Sequence, residues 1–204
     1  ILTTGPTGSG KTTTLYAVLN EINQRSHKII TLEDPIEYRL DSINQIQVNP
    51  SIGLNFSNLL RSVLRQDPDI IMVGEIRDAE TARLAIQAAL TGHLVISSLH
   101  TNTALGAVTR LIDMGIEPFL ISAALKGVIG QRLIKKLCTS CRSERKATPS
   151  ETVAFGLTEG EIIANSQGCS RCHQTGYNGR VAIMEILSLD AVSYTHLRAH
   201  ETVR

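Results

Sequence analysis

"GPTGSGKTTTLY", residues Gly5 to Tyr16, decides the fold. Gly5, Gly10, Lys11 and Thr12 occupy the fixed positions of G-x-x-x-x-G-K-[ST]. The stretch follows a strand-like run at 1–4 and opens a helical pattern at 11–24. In that context glycines let backbone N–H groups turn inward around phosphate oxygens, and the helix N-terminus adds positive potential. Gly5, Thr7, Gly8, Ser9, Gly10, Lys11, Thr12 and Thr13 are the expected phosphate-binding residues. Lys11 is expected to reach the β- and γ-phosphates of a nucleoside triphosphate, and Thr12 to ligate Mg²⁺. The alternative is a chance match in a Gly/Ser/Thr turn, and the flanking strand and helix speak against it.

Outward from this loop, β-rich runs alternate with helical patterns. Residues 28–34, 43–48, 69–75 and 93–99 read as strands. Residues 56–65, 78–90, 104–114 and 118–137 read as helices, with Asp78 at an N-cap position. Strands separated by helices predict an α/β core built on a mostly parallel sheet. Near Cys138 short polar pieces with Pro/Gly turns replace long elements. We place a core at 1–137 and a small subdomain at 138–191, closed by a strand at 179–187. The chain opens on Ile1 within a strand-like run, which predicts a preceding segment.

Composition narrows the function classes. Twenty Lys and Arg against nineteen Asp and Glu leave a formal charge of +1, so no global basic field favours nucleic acid or an anionic membrane. Aromatic content is 3% with no Trp, which argues against a base-stacking platform. The most apolar long run, 116–134, is interrupted by Glu117, Pro118, Lys126 and Arg132, so no membrane span and no direct insertion are expected.

In an open parallel sheet, ligands bind at the carboxyl ends of strands. Glu33 ends one predicted strand, Glu75 a second and His100 a third, while Lys11 and Thr12 follow a fourth. Phosphoryl transfer to water needs a positioned water, a metal and charge stabilisation. Glu33 is the candidate for the water and Glu75 for the metal side, and the two roles are interchangeable at this stage. The alternatives are an acidic turn before Pro35, a salt bridge from Glu75 to Arg77 or Arg83, and hydrogen-bonded rim histidines at His93 and His100. Positive charge for the transition state is scarce; Arg61, Arg65 and Arg77 all read equally well as solvated residues.

Cys138-x-x-Cys141 and Cys169-x-x-Cys172 are the only four cysteines. Two such pairs predict one tetrahedral Zn²⁺ site, with disulfides or unligated thiols as the alternatives. The metal is expected to be structural, stapling a piece too small to hold its own core.

Together these motifs resemble the secretion and pilus-assembly ATPases, specifically the type II secretion traffic ATPases. The resemblance rests on the phosphate loop, "LEDPIEY" (the family's Asp box), "LRQDPDIIMVGEIRD" (its Walker B box), "GHLVISSLHTNTA" (its His box), "GAVTRLIDMGIEPFLIS" and the cysteine segment. It covers about residues 1–187. It implies a RecA-like P-loop NTPase core and ATP hydrolysis by a homo-hexameric ring at the cytoplasmic face of a bacterial inner membrane. That ring would work with membrane platform proteins to assemble a pseudopilus, or a type IV pilus in the alternative reading. It further implies Glu33 as the catalytic carboxylate, Glu75 as the Walker B acid, and His93 and His100 as nucleotide-sensing residues. Walker B ends here in Gly-Glu rather than the Asp of many P-loop enzymes, which implies water-mediated metal coordination. The tetracysteine motif argues against a retraction motor. The family's preceding domain, a source of arginines, lies outside this sequence, so the chain alone is expected to be a poor hydrolase. A P-loop nucleic-acid motor with a zinc ribbon, and a module that holds ATP without turning it over, are the competing classes.

The end of the chain breaks the pattern. "VSYTHLRAHET", from Val192 to Thr202, resembles translated sequencing-adapter sequence, and residues 192–204 are expected to be non-native; the alternative is an amphipathic C-terminal helix.

Overall fold

The structure, a computed structural model, describes residues 1–189. The chain forms two compact units. The larger holds Ile1–Arg132 together with the described residues from Met184 onward, and the smaller is Leu133–Ile183. The tail expectation, 192–204, lies outside the described residues.

Nine strands and six helices follow one another among the described residues: β1 (Leu2–Thr4), α1 (Lys11–Ile22), β2 (Ile29–Glu33), β3 (Asn44–Gln47), α2 (Phe56–Val63), β4 (Ile70–Val73), α3 (Ala79–Leu90), β5 (Leu94–Leu99), α4 (Ala104–Asp113), α5 (Pro118–Ala124), β6 (Gly127–Leu137), β7 (Ser143–Lys146), α6 (Pro149–Phe155), β8 (Ile162–Asn165) and β9 (Tyr177–Ser188). Seven strands form one sheet in the order β3-β2-β4-β5-β1-β6-β9, and β1 through β6 pair in parallel. The α/β class read from the sequence is therefore observed.

Two apolar layers hold the larger unit. Strands β2, β4 and β5 are Val/Ile/Leu-rich and buried on both faces, as central parallel strands are. Alternation assigns their side chains. Ile29, Ile70, Met72 and Ile96 meet Leu15, Tyr16 and Leu19 of α1 on one face. Ile30, Leu32, Ile71, Val73, Val95 and Leu99 meet α2 through α5 on the other. Side-chain caps fix the starts of α2, α3 and α4: Asn55, Asp78 and Thr103 each accept a backbone N–H from the first turn. Asp78 thus sits at the N-cap the sequence predicts.

One expected element is corrected. Residues 118–137 do not form a single helix; α5 stops at Ala124, and Gly127 begins β6, which pairs with β1 through Leu2↔Val128 and Thr4↔Gly130. Gly127 and Gly130 weaken a helix, and the β-branched pair Val128–Ile129 prefers a pleated, buried slot beside β1. Gly130 also lies against Ala104 and Glu185, where a Cβ would come within 3.1 Å of both. In the smaller unit β7 and β8 pair antiparallel, and Thr148 opens α6 with a reciprocal capping box to Glu151.

Candidate nucleotide site and metal centre

The phosphate loop is shaped by what it excludes. Gly5 has φ +149°, and a Cβ there would fall 2.3 Å from the carbonyl oxygen of Gln131 and 2.6 Å from Ser9 Oγ. Only glycine lets β1 turn into α1 at this point. Gly10 precedes α1 in left-handed conformation with no side-chain cap, and the first turn carries no acid. Helices α2, α3, α4 and α6 all have such caps. The first N–H groups of α1 are left for a ligand, and the dipole there favours an anion.

Two side chains agree with that reading. Ser9 Oγ is buried without a hydrogen-bond partner among the described residues. Lys11 Nζ donates to the carbonyls of Gly5 at 2.9 Å and Pro6 at 3.1 Å, so its ammonium lies across the loop. Burial lowers the Lys11 pKa, and the negative charge of Glu75 pushes it back up. Those two groups are thus within electrostatic reach of each other. The buried Gln131 of β6 braces the loop: its Oε1 accepts from Thr14 Oγ1 at 2.7 Å and its Nε2 donates to the Ser9 carbonyl at 2.8 Å. A triphosphate fits this cradle, with Lys11 as counter-charge and the exposed Thr12 hydroxyl available to a magnesium ion.

Sheet register brings the other candidates to the same rim. Leu32, Val73, Ser97 and Leu2 form one row across four parallel strands. Glu33 lies one residue beyond that row, Glu75 two, and His100 and Gly5 three each. Glu75 accepts from Arg77 at 2.6 Å and meets His100 Nε2 at 3.2 Å. Arg77 also reaches Asp34 at 3.3 Å. Burial alone would raise the Glu75 pKa; Arg77 and His100 outweigh it and hold the carboxyl below its ordinary range. Arg77, a residue that sequence left as solvated or paired, thus links the acid ends of β2 and β4.

Glu33 belongs to a different cluster on the same rim. It is 2% exposed, on the α1 face of the sheet. Three donors hold it: the Tyr16 hydroxyl, Thr31 Oγ1 at 2.5 Å and Gln45 Nε2 at 3.0 Å. Strand β2 stands three places from β1, a lateral separation of about 14 Å. His93 does not join the rim. It precedes β5, at the opposite end of that strand from His100, about 20 Å away along the chain direction. Its Nδ1 lies 3.0 Å from the Ala88 carbonyl and 3.1 Å from Thr91 Oγ1, so it closes the turn after α3.

Tyr16, Thr31, Gln45 and Gln131 were missed from sequence. Tyr16 carried a signal: a hydroxyl on the buried stripe of a helix needs a partner. The Gln131 contact to Thr14 spans 117 residues and has no local signature.

In the smaller unit all four cysteines are free, and their sulfurs lie within 4.8 Å of one another. Cys169–Cys172, Cys141–Cys172 and Cys138–Cys169 are 3.7, 3.8 and 4.0 Å apart. A tetrahedron with metal–sulfur bonds of about 2.3 Å has edges of about 3.8 Å, so the four thiols fit one zinc ion. Burial opposes ionisation of Cys172, but the backbone N–H groups of Cys169 and Gly176, each 3.2 Å from its sulfur, outweigh it and bring the thiol down to about 6. That sulfur is poised as the thiolate a metal requires.

Fold and site together define the class: a RecA-like P-loop NTPase core with a small cysteine-rich unit built to ligate a metal. The sequence matches the family described as Type II/IV secretion system protein over residues 1–203, and the chain belongs to that family. It is 56% identical over 192 residues to the type II secretion system protein E of Aeromonas hydrophila, covering 93% of this chain and 38% of that one. The type II secretion system ATPase E of Vibrio cholerae serotype O1 is likewise 56% identical over 192 residues, with 93% and 38% coverage. Among solved structures, the pilus retraction motor PilT with bound ADP aligns with a TM-score of 0.73 and 34% identity, over 98% of this chain and 50% of that one. The chain therefore spans well under half the length of the curated relatives it matches.

Proposed function

We propose that this chain carries the ATP-hydrolysing core of a motor that powers type II protein secretion by assembling a pseudopilus. The motor works as a homo-hexamer at the cytoplasmic face of the bacterial inner membrane, docked on platform proteins there. Among the described residues, no helix is long and apolar enough to cross a membrane. The observation that carries the reading is the convergence of the uncapped α1 N-terminus, Lys11, Glu75 and His100 on one rim of a parallel sheet. Kinship with type II secretion proteins of 56% identity supports the system.

The residues divide the work as follows. The backbone of Gly5–Thr13 and the Ser9 hydroxyl grip the phosphates of ATP, with the Lys11 ammonium turning from the Gly5 and Pro6 carbonyls to the β- and γ-phosphates. Thr12 and, through water, Glu75 hold Mg²⁺, which when bound neutralises phosphate charge. Arg77 and His100 keep Glu75 ionised for that task. Glu33 orients the attacking water. Cys138, Cys141, Cys169 and Cys172 hold a structural Zn²⁺ that staples the smaller unit. His93 has no place in this scheme.

The test is phosphate release from ATP by the full-length gene product, alone and as Lys11→Ala. Loss of turnover in the variant with its hexameric assembly intact is expected. Unchanged turnover would exclude this loop as the hydrolytic site.

A further inference from the structure

We propose that Tyr16 and Gln45 are positioning residues for Glu33, fixing the carboxylate that orients water to the helix that starts in the phosphate loop. The inference rests on the reading of Glu33 as the catalytic carboxylate.

Tyr16 is fully buried, yet its phenol is polar. A buried hydroxyl needs partners, and this one has two: it donates to Glu33 Oε2 and accepts from the Glu37 N–H at 3.3 Å. Burial and the adjacent Glu33 charge raise the Tyr16 pKa, so the phenol stays a donor. Its ring packs edge-on against Tyr38 with centroids 4.6 Å apart. Gln45 takes the other carboxylate oxygen: Nε2 donates to Glu33 Oε1 at 3.0 Å and to the Tyr38 carbonyl at 3.1 Å, while Oε1 accepts from Leu40 N at 2.8 Å. Thr31 completes the set from the same strand as Glu33. Both oxygens of one buried acid are thus fixed by donors from α1, β2 and β3.

The geometry exceeds what burying an acid requires. Tyr16 lies five residues after Lys11 on the same helix, a rise of about 7.5 Å. Lys11 and the Glu33 partner therefore ride on one rigid element, and phosphate seated at the N-terminus of α1 acts on a helix that also holds Glu33. Glu33 lies three strands from β1, so its alignment with the phosphate depends on such a tie rather than on direct contact with the loop.

A double-mutant cycle on the full-length gene product tests this, with kcat and KM for ATP measured beside thermal midpoints. Tyr16→Phe keeps the ring and removes only the hydroxyl. It is expected to lower kcat about 10-fold, the scale of a hydrogen bond to a charged group, with KM for ATP within about twofold. Gln45→Met is expected to do the same to a smaller degree, from a half-buried site. Glu33→Gln is expected to lower kcat about 100-fold or more. Tyr16→Phe added to Glu33→Gln should then have no further effect, because Tyr16 acts through that carboxylate. A purely structural role would instead slow both backgrounds equally. Wild-type kcat in both Tyr16→Phe and Gln45→Met, or effects that multiply in the double variant, would overturn the inference while a slow Glu33→Gln leaves the reading of Glu33 standing. Wild-type kcat in Glu33→Gln would overturn both.

Discussion

Replacing Gly5 by alanine sets the phosphate loop against the strand beside it. The new methyl would lie 2.3 Å from the Gln131 carbonyl oxygen, roughly 1 Å inside ordinary contact. That oxygen belongs to the backbone of β6, which is hydrogen-bonded to β1, so it has little freedom to retreat. Overpacking of this kind costs about 1–3 kcal/mol. The backbone adds about 1–3 kcal/mol, because φ +149° suits only glycine. Gly8→Ala separates the two effects: φ is +77° there, but nothing lies within 4 Å of the added methyl. It should cost only backbone strain, about 1–2 kcal/mol. Urea denaturation followed by circular dichroism reads the difference. With a slope of about 1–3 kcal/mol/M, the Gly5→Ala midpoint should fall below that of Gly8→Ala by roughly 1 M. Equal midpoints would refute the claim that the Gly5–Gln131 approach shapes the loop.

Other expectations follow from the same residues. Arg77→Met removes the main partner that holds Glu75 below its usual range, leaving burial opposed chiefly by His100. A depressed carboxylate stabilises the fold above its ordinary pKa and loses that contribution as pH falls through the lowered value. The variant should therefore be less stable than wild type near neutral pH, with the gap closing as pH falls through the lowered wild-type value, and should lose activity at a higher pH than wild type; thermal midpoints and turnover across a pH series check both. Cys138→Ser should abolish retention of one zinc per chain, measured by elemental analysis, and should unfold the smaller unit with little change in the signal of the larger. Asp78→Ala removes two hydrogen bonds to Thr81, at 2.8 and 2.9 Å. It should cost about 1 kcal/mol and about 2–4 °C in the thermal midpoint.

Local chemistry made much of the molecule legible. The loop, the cap at Asp78 and the paired cysteines are short motifs whose meaning is carried within a few residues. The strands at Ile29–Glu33 and Ile70–Val73 announced themselves as apolar runs bounded by turns. Strand β6 did not, because "GVIGQRLIKKL" has no clear period and its reason for being a strand is a neighbour, β1, more than a hundred residues earlier. The antiparallel pair β7–β8 was hidden for another reason: "SERK" is polar throughout and is extended only because Ile162–Asn165 lies beside it. At the site, strand ends located Glu33, Glu75 and His100, since a parallel sheet sends all its carboxyl ends to one rim. The same logic separates His93, which precedes its strand rather than following it. Sequence could not tell that Glu33 and Glu75 sit in different clusters, because that depends on which face each strand turns toward α1 and on side chains as distant along the chain as Gln45 from Glu33 and His100 from Glu75.

Single-turnover hydrolysis of pre-bound ATP by Glu75→Gln in the full-length gene product examines the rim itself, since binding and chemistry are read separately. ATP affinity within a few-fold of wild type, with cleavage slowed about 100-fold or more, is the expected result. Cleavage at the wild-type rate would mean that the acid paired with Arg77 and His100, within electrostatic reach of Lys11, takes no part in the reaction, and that ATP is split somewhere other than this sheet edge.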